Sequence, residues 1–209
     1  SAPAEVAVVA AAFFIVEPET LHLEVGEQAD VKIWCFPPDK GVFQDKFVAR
    51  IEHNPEPVVF NLCALGEVPW ASLDTEAVDF GRLMQNIRAD DQRVRIKNDS
   101  SLPVKWQLLC NQAKVVDSDG TVSTPGADPD NPDAPLQVPE EFVVDPMDGT
   151  LAAGEERDVR VGFRATRPAT FDFGLQLNVR DDQGFRSWQE AAKVAVHAET
   201  FAVEAVVEP

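Results

Sequence analysis

The longest regular pattern in the chain lies at residues 171–179, where Phe171, Phe173, Leu175, Leu177 and Val179 alternate with Asp172, Gly174, Gln176 and Asn178. A period of two sends successive side chains to opposite faces of an extended backbone, so this segment predicts a strand with one buried face. The alternation recurs. Val159, Val161 and Phe163 are interleaved with Arg160 and Arg164, Val94 and Ile96 with Arg93, Arg95 and Lys97, and Val104, Trp106 and Leu108 with Lys105 and Gln107. Seven strands are expected in the C-terminal part, near 78–83, 91–98, 103–110, 141–145, 157–165, 170–180 and 191–203, with turn-forming Gly, Pro and Asp between them. Strands of this number and length predict an all-β, immunoglobulin-like sandwich in which two sheets enclose one core, with Trp106 central to it. The paired cysteines and tyrosine corner of antibody domains are missing.

The N-terminal part repeats the C-terminal part. Without a gap, at an offset of 128 residues, Phe14, Val16, Pro18, Leu23, Gly26, Glu27, Asp30, Val31 and Phe43 recur as Phe142, Val144, Pro146, Leu151, Gly154, Glu155, Asp158, Val159 and Phe171. Identities held in one register mark a tandem array. Residues 1–69 match only the last four strands of the second unit, and half a sandwich would expose its core and leave an unpaired edge. The expected organisation is therefore the C-terminal part of one domain at 1–69, its remaining strands lying upstream, a linker at 70–77 and a complete domain at 78–209.

Composition sharpens this picture. Sixteen prolines, thirteen phenylalanines and only two methionines favour short strands and turns over long helices. The formal net charge of −18 is spread over both parts, about −7 over residues 1–69 and about −9 over 78–209. Neutralising phosphates, whether of nucleic acid or of an anionic lipid surface, needs clustered Lys and Arg, so neither nucleic acid nor membrane is an expected partner. The three cysteines, Cys35, Cys63 and Cys110, lack CxxC spacing and are expected as ordinary buried or half-buried thiols in a reducing compartment.

Four segments carry a family resemblance: VDFGRL at 78–83, IKNDSSLPVKWQL at 96–108, FRATRP at 163–168 and VAVHAETFAV at 194–203. There the sequence resembles the repeats of the hydin family, long arrays of major-sperm-protein-like, or ASH, domains in the ciliary axoneme. The resemblance covers residues 78–203 and, more loosely, 13–69. It implies tandem immunoglobulin-like (ASH/major-sperm-protein-like) β-sandwiches, the first one incomplete. It also implies a non-enzymatic scaffold of the axonemal central apparatus of motile cilia, supporting motility, with other central-apparatus proteins as partners. Net negative charge argues against direct electrostatic attachment to the acidic surface of tubulin. The rival readings are another ASH-repeat ciliary protein and a secreted or periplasmic immunoglobulin-like adhesion or chaperone domain.

Catalytic chemistry has little to stand on. His22, His53 and His197 are scattered with no nucleophile or carboxylate pattern beside them, and neither a nucleophile elbow nor a glycine-rich phosphate loop occurs. No catalytic residue, cofactor or metal ligand is expected. The exceptional stretch is 111–140, an acidic insert expected as a solvated loop. Its aspartates do not fit an EF-hand, which needs a glycine at the sixth position and a glutamate at the twelfth, where counting from Asp128 finds Asp133 and Pro139. Asp117, Asp119, Asp128, Asp130 and Asp133 are instead candidate contacts for a protein partner.

Overall fold

The computed structural model describes residues 13–52, 54–131 and 136–203, and every regular element among them is a β-strand. The chain divides into two compact units, residues 1–68 and 69–209.

In the first unit, β1 (Phe14–Glu17) pairs antiparallel with β2 (Lys32–Cys35), and β3 (Gly41–Ala49) pairs antiparallel with β4 (Val58–Gly66). Each pair forms a two-stranded sheet. Gly66 closes the β3–β4 pair where a Cβ would lie 2.4 Å from the Asp39 carbonyl oxygen, so only glycine fits. Aromatic contacts tie the unit together: Phe13 meets Phe43 edge-on at 5.0 Å, and Phe47 stacks on its cross-strand partner Phe60 at 5.7 Å. Ile33, Trp34 and Phe36 nonetheless remain exposed.

The second unit is a two-sheet sandwich. One sheet has the order β10 (Phe142–Asp145), β12 (Glu156–Phe163), β7 (Gln92–Asn98), β5 (Ala71–Leu73), all antiparallel. The other runs β11 (Asp148–Leu151), β8 (Val104–Asp117), β13 (Ala169–Asp181), β14 (Gln189–Phe201), β6 (Ala77–Met84), with the two-residue β9 (Val122–Ser123) added beside β8. Its last pairing, β14 with β6, is parallel. The alternating residues of β13 all enter the core, as the period of two requires, and Trp106 is 1% exposed within it. Phenylalanines from both sheets form one cluster: Phe142 of β10 packs on Phe163 of β12 at 4.5 Å and on Phe173 of β13 at 4.8 Å. Such offset and edge contacts add to the burial of the rings themselves.

The sequence repeat is a structural repeat. β1 and β2 pair Phe14 with Cys35 and Glu17 with Lys32, while β10 and β12 pair Phe142 with Phe163 and Asp145 with Arg160, the same register 128 residues on. Pro18 and Pro146 each follow a cis peptide bond. Gly26 and Gly154 both take positive φ, 83° and 72°, in turns closed by a backbone bond from Glu27 to Glu24 and from Glu155 to Ala152. In both turns the glutamate carboxylate accepts a hydrogen bond from the first residue's N–H. The shared GE dipeptide is thus a turn device: glycine supplies the left-handed backbone and glutamate ties the loop.

Three expectations need correction. Residues 70–77 are not a free linker, since 71–73 form β5, hydrogen-bonded to β7, and Ala71 is fully buried. Three residues are too few to show alternation, which hid the strand. The turn between β10 and β12 contains β11, which crosses to the opposite sheet and pairs with β8. The expected strand at 103–110 continues to Asp117 past an irregularity near residue 111, so residues 111–117 of the insert belong to the sheet. A one-residue shift in register reverses the inside–outside pattern, and the continuation therefore does not read as strand.

Candidate functional site

The insert is folded against the second unit. After β8 ends, Asp117 and Thr121 close a tight turn, with the Asp117 N–H donating to the Thr121 carbonyl at 2.9 Å, and β9 folds back on Val115 and Val116. The chain returns at Leu136, which bridges to Cys110, and Leu136 and Val138 pack against the core. The aspartates do not form one cluster. Asp117 is partly buried and accepts a hydrogen bond from Arg167 Nη1. Asp119 accepts the Thr121 N–H at 2.8 Å, and that backbone bond holds its carboxyl below the usual range. Asp128 accepts the Asp130 N–H at 2.9 Å, and Asp130 is exposed. Asp133 lies outside the described residues.

Arg167 is the anchor that sequence reading missed. Its Nε donates to Glu141 Oε1 at 2.9 Å, and the Glu141 side chain is fully buried. The Glu141 hydrogen bond, ahead of opposing desolvation, raises the Arg167 pKa further, so the guanidinium is permanently charged. One arginine thus joins the end of β8 to the start of β10 and fixes both ends of the insert. The residues stand 50 and 26 positions from Arg167, so no local spacing announces the site.

The motifs behind the family resemblance are also internal. In NDSSLP, Asn98 is fully buried; its Nδ2 donates to the carbonyls of Leu102 and Ala152, each at 2.8 Å, and its Oδ1 accepts from the Ser100 N–H and hydroxyl. FRATRP supplies buried Phe163 and Ala165 together with Arg167. Both motifs satisfy the backbone of turns that would otherwise bury unpaired polar groups, so they specify fold before function.

Surface charge is interleaved on the outer face of the four-stranded sheet. Arg95 of β7 bonds Asp158 of β12 at 2.8 Å and lies 3.6 Å from Glu156, while Arg93 reaches Asp158 and Arg160 reaches Asp91. The Arg95 hydrogen bond lowers the pKa of Asp158. Of the histidines, His197 Nδ1 lies 2.7 Å from Asp172 across β14 and β13, His22 is exposed, and His53 lies outside the described residues. Cys35, Cys63 and Cys110 are free thiols; Cys110 is buried, which pushes its pKa up, Cys35 is half-buried, and Cys63, against expectation, is exposed. No group of three or more metal-ligating side chains occurs among the described residues.

These features define, in the second unit, an immunoglobulin-like β-sandwich whose distinctive residues build turns and anchor an insert. A solved structure, the ASH/PapD-like domain 7 of human CEP192, matches it with a TM-score of 0.52 at 13% identity, covering 66% of this chain and 89% of that one. At this identity the match shows the fold. In sequence, the chain is similar to the hydrocephalus-inducing protein homolog of Homo sapiens, 25% identical over 188 residues and 90% of this chain. The hydrocephalus-inducing protein of Mus musculus is 23% identical over 191 residues. The chain spans about 3% of the length of either relative. No protein-family model matches it.

Proposed function

We propose that the chain is a non-catalytic scaffold and protein–protein interaction module of the axonemal central apparatus of motile cilia, one segment of a long array of ASH domains. The observation that supports this most is the similarity to the hydrocephalus-inducing proteins, which runs through both units, not one alone. In this reading the first unit is the second half of a domain like its neighbour. β1, β2, β3 and β4 stand for β10, β12, β13 and β14, and the exposed Trp34 and Phe36 await strands from the longer chain. In this reading Asp119, Asp128 and Asp130 of the insert contact other central-apparatus proteins.

The test is to tag the endogenous protein in a motile-ciliated cell and locate the tag by cryo-electron tomography of isolated axonemes. Density on the central pair is expected. A tag on the outer doublets alone, or lost from demembranated axonemes, would overturn the proposal. Hydrogen exchange tests the half-domain separately: amides of 13–66 should exchange rapidly in this chain and become protected when about 50 preceding residues are added.

A further inference from the structure

Across the six-stranded sheet, charged side chains that face each other in register carry opposite signs: Asp172 faces Lys114, and Arg82 faces Glu199. One pair breaks the rule. Arg180 of β13 stands directly opposite Lys105 of β8, both pointing away from the core that their neighbours Val179 and Trp106 enter. Like charges so placed repel, with Cβ atoms about 5 Å apart. Neither cation makes an ion pair among the described residues, although the chain carries a formal net charge of −18. The two line a hollow of about 560 Å³ together with Gly149, Thr150 and Trp188, and Asp148 is the one acid among its lining residues.

Two further features mark the hollow. Arg180 Nε is buried and has no hydrogen-bond partner among the described residues, so its N–H adds to the positive potential of this face. The Arg180 guanidinium lies 4.4 Å from the centre of the Trp188 ring, which holds it in place. The loop carrying Trp188 is itself fixed, because Asp181 accepts the N–H groups of Phe185 and Arg186 at 2.8 and 2.7 Å. The same loop, between β13 and β14, also carries Phe185, 79% exposed.

We propose that this hollow is a docking site for a polypeptide segment that places a carboxylate between Lys105 and Arg180 and an apolar side chain against Trp188 and Phe185. A planar carboxylate matches the guanidinium fork and removes the repulsion between the cations. A fixed loop bearing Phe, Trp and Arg has the composition of interface anchors and loses little entropy on binding. A phosphate dianion suits the site less, because the chain's negative field opposes the second charge. The site is a local property of the second unit and stands apart from the ciliary assignment.

The test is a nitrogen-15 NMR titration of the whole 209-residue chain with acetyl-Glu-Phe-amide, acetyl-Gln-Phe-amide and sodium phosphate. The glutamyl peptide should give saturable shifts at the Trp188 indole N–H signal and bind about tenfold more tightly than the glutaminyl one. Lys105→Gln and Arg180→Gln should each abolish that difference, and Lys114→Gln should preserve it. Lys105→Glu provides an internal counter-charge, so it should raise Tm and eliminate binding, which separates lost function from lost fold. Equal binding of the two peptides, shifts confined to another face, or phosphate saturating at lower concentration than the glutamyl peptide would each overturn the proposal.

Discussion

Gly149 on β11 lies directly across from Trp106 on β8, and a Cβ at position 149 would sit 3.1 Å from the indole Nε1 and 3.3 Å from the ring carbons beside it. The glycine is a space requirement of a residue on the neighbouring strand. Because Trp106 is held on all sides in the core, Gly149→Ala should destabilise the second unit by about 1–3 kcal/mol, the usual effect of overpacking. Trp106→Ala should cost about 3–5 kcal/mol and Lys105→Ala, on the outer face, under ~1 kcal/mol. Urea denaturation followed by circular dichroism measures all three. Equal losses for positions 105 and 106 would contradict the register.

Arg167 and Asp117 should differ sharply when removed. Arg167→Ala strands the fully buried Glu141 carboxylate without a counter-charge and should cost about 3–5 kcal/mol. Asp117→Ala leaves Arg167 paired to Glu141 and should cost about 1 kcal/mol or less. The double variant Glu141→Gln/Arg167→Gln should recover part of the loss, which a double-mutant cycle reads directly.

The insert divides into a dispensable tip and a structural base. Replacing residues 119–131 with a short glycine–serine linker should leave the unfolding midpoint nearly unchanged, since loop closure depends weakly on length. Leu136→Ala, which removes a side chain packed on the core, should lower stability by about 1–2 kcal/mol. If the tip carries contacts to a basic partner, that replacement weakens pull-down of central-apparatus proteins, and the loss shrinks as salt rises.

Asp181 makes the loop between β13 and β14 sensitive to acid. Burial by itself raises the Asp181 pKa, but backbone hydrogen bonds from Arg186, Phe185 and Gly184 together outweigh it and bring the carboxyl below its ordinary value. A group depressed in the folded state stabilises it fully above the unfolded pKa of about 4 and loses that effect as pH falls through the folded pKa. Amide protection at Phe185 and Arg186 should therefore persist from neutral pH to about 4 and fall below it. Asp181→Asn should flatten the profile in a hydrogen-exchange series.

Much of the fold was legible because its signals are local and periodic. The alternation from Phe171 to Val179 announces a strand and its buried face, and the matched register of β1–β2 and β10–β12 confirms that a repeat in sequence is a repeat in hydrogen bonding. The GE turns could be read for the same reason, since glycine and glutamate act within four residues of chain. β5 escaped because three residues carry no period, and the end of β8 because its register shifts near residue 111.

The chain's own order of residues therefore determined an all-β tandem array, the core positions of its longer strands and a net charge that repels polyanions as a whole. Where charges meet was decided only by tertiary structure. Asp117, read as a contact for a partner, turns inward to Arg167, while Lys105 and Arg180, 75 positions apart and unremarkable in sequence, become a like-charged pair lining one hollow. Periodicity reports which face a side chain takes within its own strand. Which strand lies beside it depends on the pairing of segments far apart in the chain, and electrostatic energy depends on that distance in space.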